Sequence, residues 1–207
     1  MHYFPEQREI LFDGKVLNIL DRFTLDFINI LEKHTSYVLV SGYVSILLGR
    51  SRSSEDIDLL VPPLSFVQFT TLCADFDKAG FECLNTSSLQ EAYAFLQEHA
   101  IRFARKGKPL PNMEFKQISL PVHRLALDTR LKVRFDSHSL YISSLELQIA
   151  YKLSLMAKGT IAELSADKDF EDAKHLYVLF KEHLNKELLL QYATQFGVTE
   201  AYLLLQS

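Results

Sequence analysis

Apolar positions in the first third of the chain follow two spacings. From Lys15 to His34, the residues Val16, Ile19, Leu20, Phe23, Phe27, Ile30 and Leu31 recur three or four apart. That is the period of a helix with one buried face. Tyr37 to Val40 is short, aromatic and β-branched and predicts a strand, followed by the turn Ser41-Gly42 and a short helix over Tyr43 to Leu48. Asp56 to Val61 predicts the next strand, stopped by Pro62-Pro63. A helix is expected over Leu64 to Ala79, with Gly80 as its C-terminal stop.

Further along, the pattern predicts a strand over Phe81 to Leu84 and a short helix over Ser87 to Gln97. Strands at Ala100 to Ala104 and Met113 to Ile118 flank the basic loop Arg105-Lys106-Gly107-Lys108-Pro109. A turn or two of helix covers Val122 to Leu127. Leu131 to Phe135 and Leu140 to Ile142 alternate around Asp136-Ser137-His138 as a hairpin. From Ser143 onward every periodic segment is helical: Leu145 to Ala157, Asp169 to His183, Lys186 to Phe196 and Thr199 to Leu205. Ser143 and Glu146 have the spacing of a capping box. The expected architecture is therefore α+β, a mixed sheet flanked by helices in residues 1–142 and a helical bundle in residues 143–207.

Composition narrows the function classes. Of the 207 residues, 48% are apolar, an ordinary value for a globular chain, and no apolar run approaches a membrane span. The N-terminus lacks the basic start and apolar block of a secretion signal, so no membrane partner is expected and the cytoplasm is the expected compartment. Cys73 and Cys83 form no CxxC motif and are expected to be free thiols. The net charge is −4, yet from Arg102 to Arg134 nine Lys or Arg stand against Glu114 and Asp128, leaving −11 on the rest of the chain. Such a segment either offers a local surface to phosphates or merely solvates a helix and a hairpin.

The chemistry concentrates in Ser41 to Leu60. Alternation on a strand places Asp56 and Asp58 on one face and Ile57 and Leu59 on the other. Two carboxylates that close repel each other. A divalent cation removes the repulsion, and Mg²⁺ favours one or two carboxylates plus phosphate oxygens and water. A strand-borne D-x-D is thus a platform for chemistry on a nucleoside triphosphate, although a solvated strand edge can show the same pattern. Gly42 would let backbone approach a phosphate closely, Ser41 would add a hydroxyl, and Arg50 and Arg52 could reach triphosphate oxygens.

These residues carry a resemblance. The stretch VSGYVSILLGRSRSSEDIDLLV resembles the nucleotidyltransferase superfamily that includes DNA polymerase β, with its G-[GS] turn, helix and hDhDh strand. The later YISSLELQIAYKL and KDFEDAKHLYVLF look more specifically like the AbiEii-type nucleotidyltransferases. Together these matches span most of Tyr37 to Phe180. The resemblance implies an NTP substrate, Mg²⁺ or Mn²⁺, and a third carboxylate acting as general base and metal ligand. Glu114 is the first candidate for that carboxylate, with Lys116 on the same strand face; Asp128 and Asp136 are the alternatives. It further implies that Asp56, Asp58 and Glu114 share the metal, and that the acceptor is a protein, an RNA end or a small molecule. AbiEii-type relatives are toxins of toxin–antitoxin pairs, which implies a partner protein.

Two departures stand out. Tyr43 occupies the place after Gly42 where the family carries Gly or Ser, and could crowd a phosphate or stack on a base; Glu114 stands for the usual Asp. In the helical half, Lys152 lies roughly 20° from Leu145 on a helical wheel, at the edge of the buried face. Asp169 falls within the next helix's apolar stripe, with Asp172 at its margin. By resemblance, Lys152 and Lys168-Asp169 match a motif flanking the nucleotide pocket. Snorkelling of the lysine and helix capping by the aspartate would leave the same pattern. His34, His123, His138 and His175 show no metal spacing and are expected at surfaces or turns. A fold of this kind with little or no turnover, acting by contact with a partner protein, is the competing expectation.

Overall fold

The computed structural model describes residues 1–156 and 167–206. Nine strands form one mixed sheet: β1 (His2–Phe4), β2 (Glu9–Phe12), β3 (Val38–Val40), β4 (Asp56–Val61), β5 (Phe81–Cys83), β6 (Ile101–Arg105), β7 (Lys108–Gln117), β8 (Leu131–Phe135) and β9 (His138–Ile142). Their order across the sheet is β1-β2-β8-β9-β3-β4-β7-β6-β5. The helices among the described residues are α1 (Ile19–Leu31), α2 (Ser41–Leu47), α3 (Phe66–Lys78), α4 (Leu89–Leu96), α5 (Pro121–Asp128), α6 (Leu145–Leu155), α7 (Lys168–Phe180), α8 (Lys186–Gln195) and α9 (Thr199–Gln206). The α+β architecture read from the pattern is the one observed, with four helices following the last strand among the described residues. Buried apolar residues of those helices, including Phe170, Leu176 and Tyr202, belong to the same cluster as those of the sheet.

The sheet's two faces divide the work. Phe115 on β7 meets Phe103 on β6 edge to face, and Phe103 packs on Phe27 of α1 and Phe76 of α3. Ile57, Leu59, Met113 and Phe115 are all buried, which is why β4 and β7 hold firmly in the centre. Their alternation leaves Asp56, Asp58, Glu114 and Lys116 on the opposite face, where Asp58, Glu114 and Lys116, but not Asp56, line a pocket together with residues of α5 and α6.

Several expectations change in detail. The first helix starts at Ile19, four residues later than its apolar spacing suggests, because Asn18 and Asp21 close a capping box; Val16 and Ile19 stay exposed. The N-terminal hairpin β1–β2 was not expected. It is held by a parallel pairing of β2 with β8 that places Ile10 opposite Val133, a contact no local pattern announces. β7 begins at Lys108, so the basic loop shrinks to a tight turn at Lys106-Gly107. The capping box expected from Ser143 and Glu146 does not form. Ser144 is the N-cap of α6, Ser143 bonds to Gln148, and the Glu146 carboxylate accepts from the Asn185 backbone N–H. Ala157, the expected end of α6, lies outside the described residues. No helix among the described residues is long and apolar enough to cross a membrane.

Candidate active site

The centre of the site is a contact between strands. Val40, Asp58 and Glu114 are register partners on β3, β4 and β7. Parallel pairing sets the Asp58 and Glu114 backbones about 4.8 Å apart, so their side chains rise side by side. Burial pushes the Asp58 carboxyl above its usual range; Glu114 adds to this, and Asp56 does so to a lesser degree. The Ser41 hydroxyl, hydrogen-bonding to Asp58, and the positive charge of Lys152 oppose the shift. Glu114 also receives Arg102 Nη2 at 3.3 Å, and Asp56 receives Asn112 Nδ2 at 2.7 Å.

Ser41 reaches Asp58 because its backbone is left-handed, with φ +62°. For a serine this conformation is unfavourable by about 1–2 kcal/mol. Gln148 of α6 holds it. Its Oε1 accepts from the Ser41 N–H at 3.2 Å and from the Ser143 hydroxyl at 2.8 Å, while its Nε2 donates to the Ser41 carbonyl at 2.7 Å. Gln148 was not singled out in the sequence, where one glutamine in a helix gives no signal. It also means that the Ser41 N–H is already taken by the protein.

Asp58, Glu114, Lys116, Ser41 and Gln148 open onto a pocket of about 280 Å³. Its remaining wall is largely apolar, with Leu60, Val122, Ala126, Leu147, Tyr151 and Leu155. His123 also lines it, contrary to its expected place at the surface. It is 7% exposed, and its Nδ1 accepts from the Ser119 and Leu120 N–H groups at the start of α5. Burial, with Lys116 nearby, lowers the His123 pKa below the usual histidine value.

Other expected contributors lie elsewhere. Gly42 is buried and does not line the pocket; a Cβ there would sit 2.3 Å from Arg52 Nη2. The glycine makes room for an arginine, where a phosphate was expected. Arg52 donates to Asp172 Oδ2 at 2.9 Å, and Arg50 lies 3.7 Å from both Asp172 and Glu171. Neither arginine lines the pocket. Lys152 is buried and bonds Asp169 at 2.6 Å and Asp172 at 2.9 Å. Lys152 and Asp169 therefore satisfy each other, and Asp172 collects three cations from α6 and the loop before β4. Tyr43 neither crowds the pocket nor faces a base. It is fully buried on the far side of α2, its hydroxyl donating to Asp21 at 2.9 Å. Asp136 occupies its hairpin turn with φ +49°, and Asp128 is exposed at the end of α5.

Among the described residues no three Asp, Glu, His or Cys side chains are placed to hold one metal ion together. Glu114 is drawn to Arg102 and Asp56 to Asn112, so the expected trio does not close on a common point. The donor chemistry still suits a cation bound by few protein ligands. Asp58 is held among like charges, a strain that a divalent ion at Asp56 and Asp58 would relieve.

No protein-family model and no curated protein sequence matches the chain. Solved structures do match. A nucleotidyltransferase-like antigenic protein from Paracoccidioides brasiliensis aligns with TM-score 0.52 at 18% identity, over 89% of this chain and 93% of its own. This chain has a nucleotidyltransferase-like fold. JHP933 from Helicobacter pylori aligns with TM-score 0.50, also at 18% identity, over 91% of this chain and 81% of its own. In this nucleotidyltransferase-like fold, the acidic face belongs to the adjacent strands β4 and β7, whose opposite face is buried through Ile57, Leu59, Met113 and Phe115.

Proposed function

We propose that the chain is a metal-dependent nucleotidyltransferase that moves a nucleoside monophosphate from an NTP to an acceptor hydroxyl. The observation that carries this is Asp58, wedged between Glu114 and Ser41 at the mouth of a half-apolar pocket. The apolar wall of Leu60, Val122 and Leu155 with Tyr151 receives the base and sugar, and the Ser41 hydroxyl and Lys116 receive phosphate oxygens. Asp56 and Asp58 are the residues that would hold Mg²⁺ or Mn²⁺, which would supply charge neutralisation for the triphosphate and polarisation of the α-phosphate. Glu114 accepts the proton of the acceptor hydroxyl. The acceptor oxygen then bonds to the α-phosphorus in line, the α–β bridging bond breaks, and pyrophosphate leaves. Lys152 acts indirectly, by keeping positive charge near Asp58 while fixed by Asp169 and Asp172.

The acceptor is a protein side chain, an RNA end or a small molecule, and the AbiEii-like segments favour a role in a toxin–antitoxin or defence pair. One observation favours the competing reading of a partner-binding module with weak turnover: Arg50, Arg52 and Lys152 are all spent on acidic residues of α7. Calorimetric titration with each of the four NTPs plus Mg²⁺ separates the two. Binding that disappears in the Asp56→Ala, Asp58→Ala double variant supports the transferase. A folded protein indifferent to every Mg·NTP at millimolar concentration refutes it. Labelled NTPs incubated with cell extract then identify nucleotide and acceptor together.

A further inference from the structure

The basic residues of the Arg102–Arg134 segment do not act together. Arg102, Arg105, Lys106 and Arg134 are each ion-paired, with Glu114, Asp26, Asp77 and Glu9 respectively. Arg124, Arg130 and Lys132 instead converge with Arg8, from the N-terminal hairpin, on a second and larger concavity of about 650 Å³. Among the described residues none of these four cations lies in an ion pair. The Arg8 guanidinium donates to the Asp128 backbone carbonyl, and that of Arg130 to the Tyr37 carbonyl. Among the described residues Asp128 is the one carboxylate lining the groove, which gives that lining a formal +3 in a chain of net charge −4.

Two features give the groove a shape as well as a charge. The Arg130 guanidinium carbon lies over the Tyr141 ring, 4.5 Å from its centroid, a cation–π pair in the groove wall. Guanidinium planes and aromatic faces are what unpaired bases stack on. The groove also adjoins the candidate active site. Helix α5 gives Val122, His123 and Ala126 to the pocket and Arg124, Leu127 and Asp128 to the groove. Leu60 on β4 lines the pocket and Pro62, just past the strand's end, lines the groove, two residues or about 7 Å further along the chain.

We propose that this groove docks a single-stranded nucleic acid, its phosphates on Arg8, Arg124, Arg130 and Lys132 and a base on the Arg130–Tyr141 pair. The docking stands on the groove alone; that the docked strand is the acceptor, entering the pocket past Pro62, rests on the transferase reading. Four cations lining one concavity of about 650 Å³, beside a guanidinium–aromatic pair, suit a chain of phosphates and bases, whereas one compact anion would neither fill the concavity nor use the aromatic ring.

The test is fluorescence anisotropy of labelled 12-nucleotide RNA and DNA oligonucleotides with the full chain, across a salt series. Either oligonucleotide binding with a log–log salt slope of about −3 supports the proposal, as expected for four phosphates on a single strand. Arg124→Glu and Lys132→Glu, whose side chains hold no other element in place, should each weaken binding about tenfold or more with an unchanged Tm. Lys106→Glu, on an already paired lysine, should leave it intact. Asp58→Asn should abolish Mg·NTP binding and spare oligonucleotide binding, so the two readings fail separately. No binding at 100 mM salt, an affinity untouched by Arg124→Glu and Lys132→Glu, or heparin and an acidic peptide binding as tightly as the oligonucleotides would each overturn the proposal.

Discussion

Gly42→Ala probes the contact between the Ser41 bend and the helical half of the chain. The residue lies in α2 with no positive φ, so an alanine there should gain up to about 1 kcal/mol of helix propensity. Space reverses the sign. The new Cβ would stand 2.3 Å from Arg52 Nη2, and the guanidinium, the flexible end of its side chain, has to move. Moving it breaks the 2.9 Å bond to Asp172, a carboxylate with no exposed surface. A charge-assisted hydrogen bond of this kind is worth about 1.5–3 kcal/mol. The net expectation is a loss of about 1 kcal/mol, or a Tm lower by about 2–4 °C for a chain of this size. Against an Arg52→Ala background the obstacle is gone and Gly42→Ala should become neutral or stabilising, giving a coupling of about 2 kcal/mol in a double-mutant cycle. Urea denaturation of the four proteins measures it. An equal effect of Gly42→Ala in both backgrounds would show that the glycine serves something other than Arg52.

Three further substitutions test the site itself. The raised Asp58 pKa means that the folded chain prefers this group protonated, so stability falls as pH rises from the unfolded value near 3.8 through the folded one. Asp58→Asn should therefore raise Tm at neutral pH while losing Mg·NTP binding, with the Tm gain vanishing as pH drops through that same window; a gain independent of pH would contradict the assignment. Gln148→Leu removes three hydrogen bonds at a buried position and leaves Ser41 strained, which should destabilise the fold by about 2–4 kcal/mol in denaturant titrations. Adding Ser41→Gly should recover about 1 kcal/mol of it by tolerating the left-handed backbone, and no recovery would locate the strain elsewhere.

The one-dimensional pattern was enough wherever a property is local. Alternation along Asp56 to Val61 and Met113 to Gln117 decided which side chains face the core, because strand geometry leaves only two sides to choose between. That placed Asp56 and Asp58 on one strand face; the search for a third carboxylate, with Glu114 as its first candidate, came from the family resemblance. The α+β layout and all but two of the strands follow from the same logic. What required the folded chain is everything that depends on contacts far apart in sequence. The β1–β2 hairpin exists through pairing with β8, more than a hundred residues away. Gln148 meets Ser41 across 107 residues and Asp172 meets Arg52 across 120, so neither the clamp on the bend nor the capture of the arginines left any periodic trace. The direction of Tyr43, inward to Asp21, was settled by which face of a seven-residue helix the sheet covers. Charge sorting followed the same rule: a basic stretch was visible in the chain, but only packing determined which of its cations acids neutralise and which stay free in a groove.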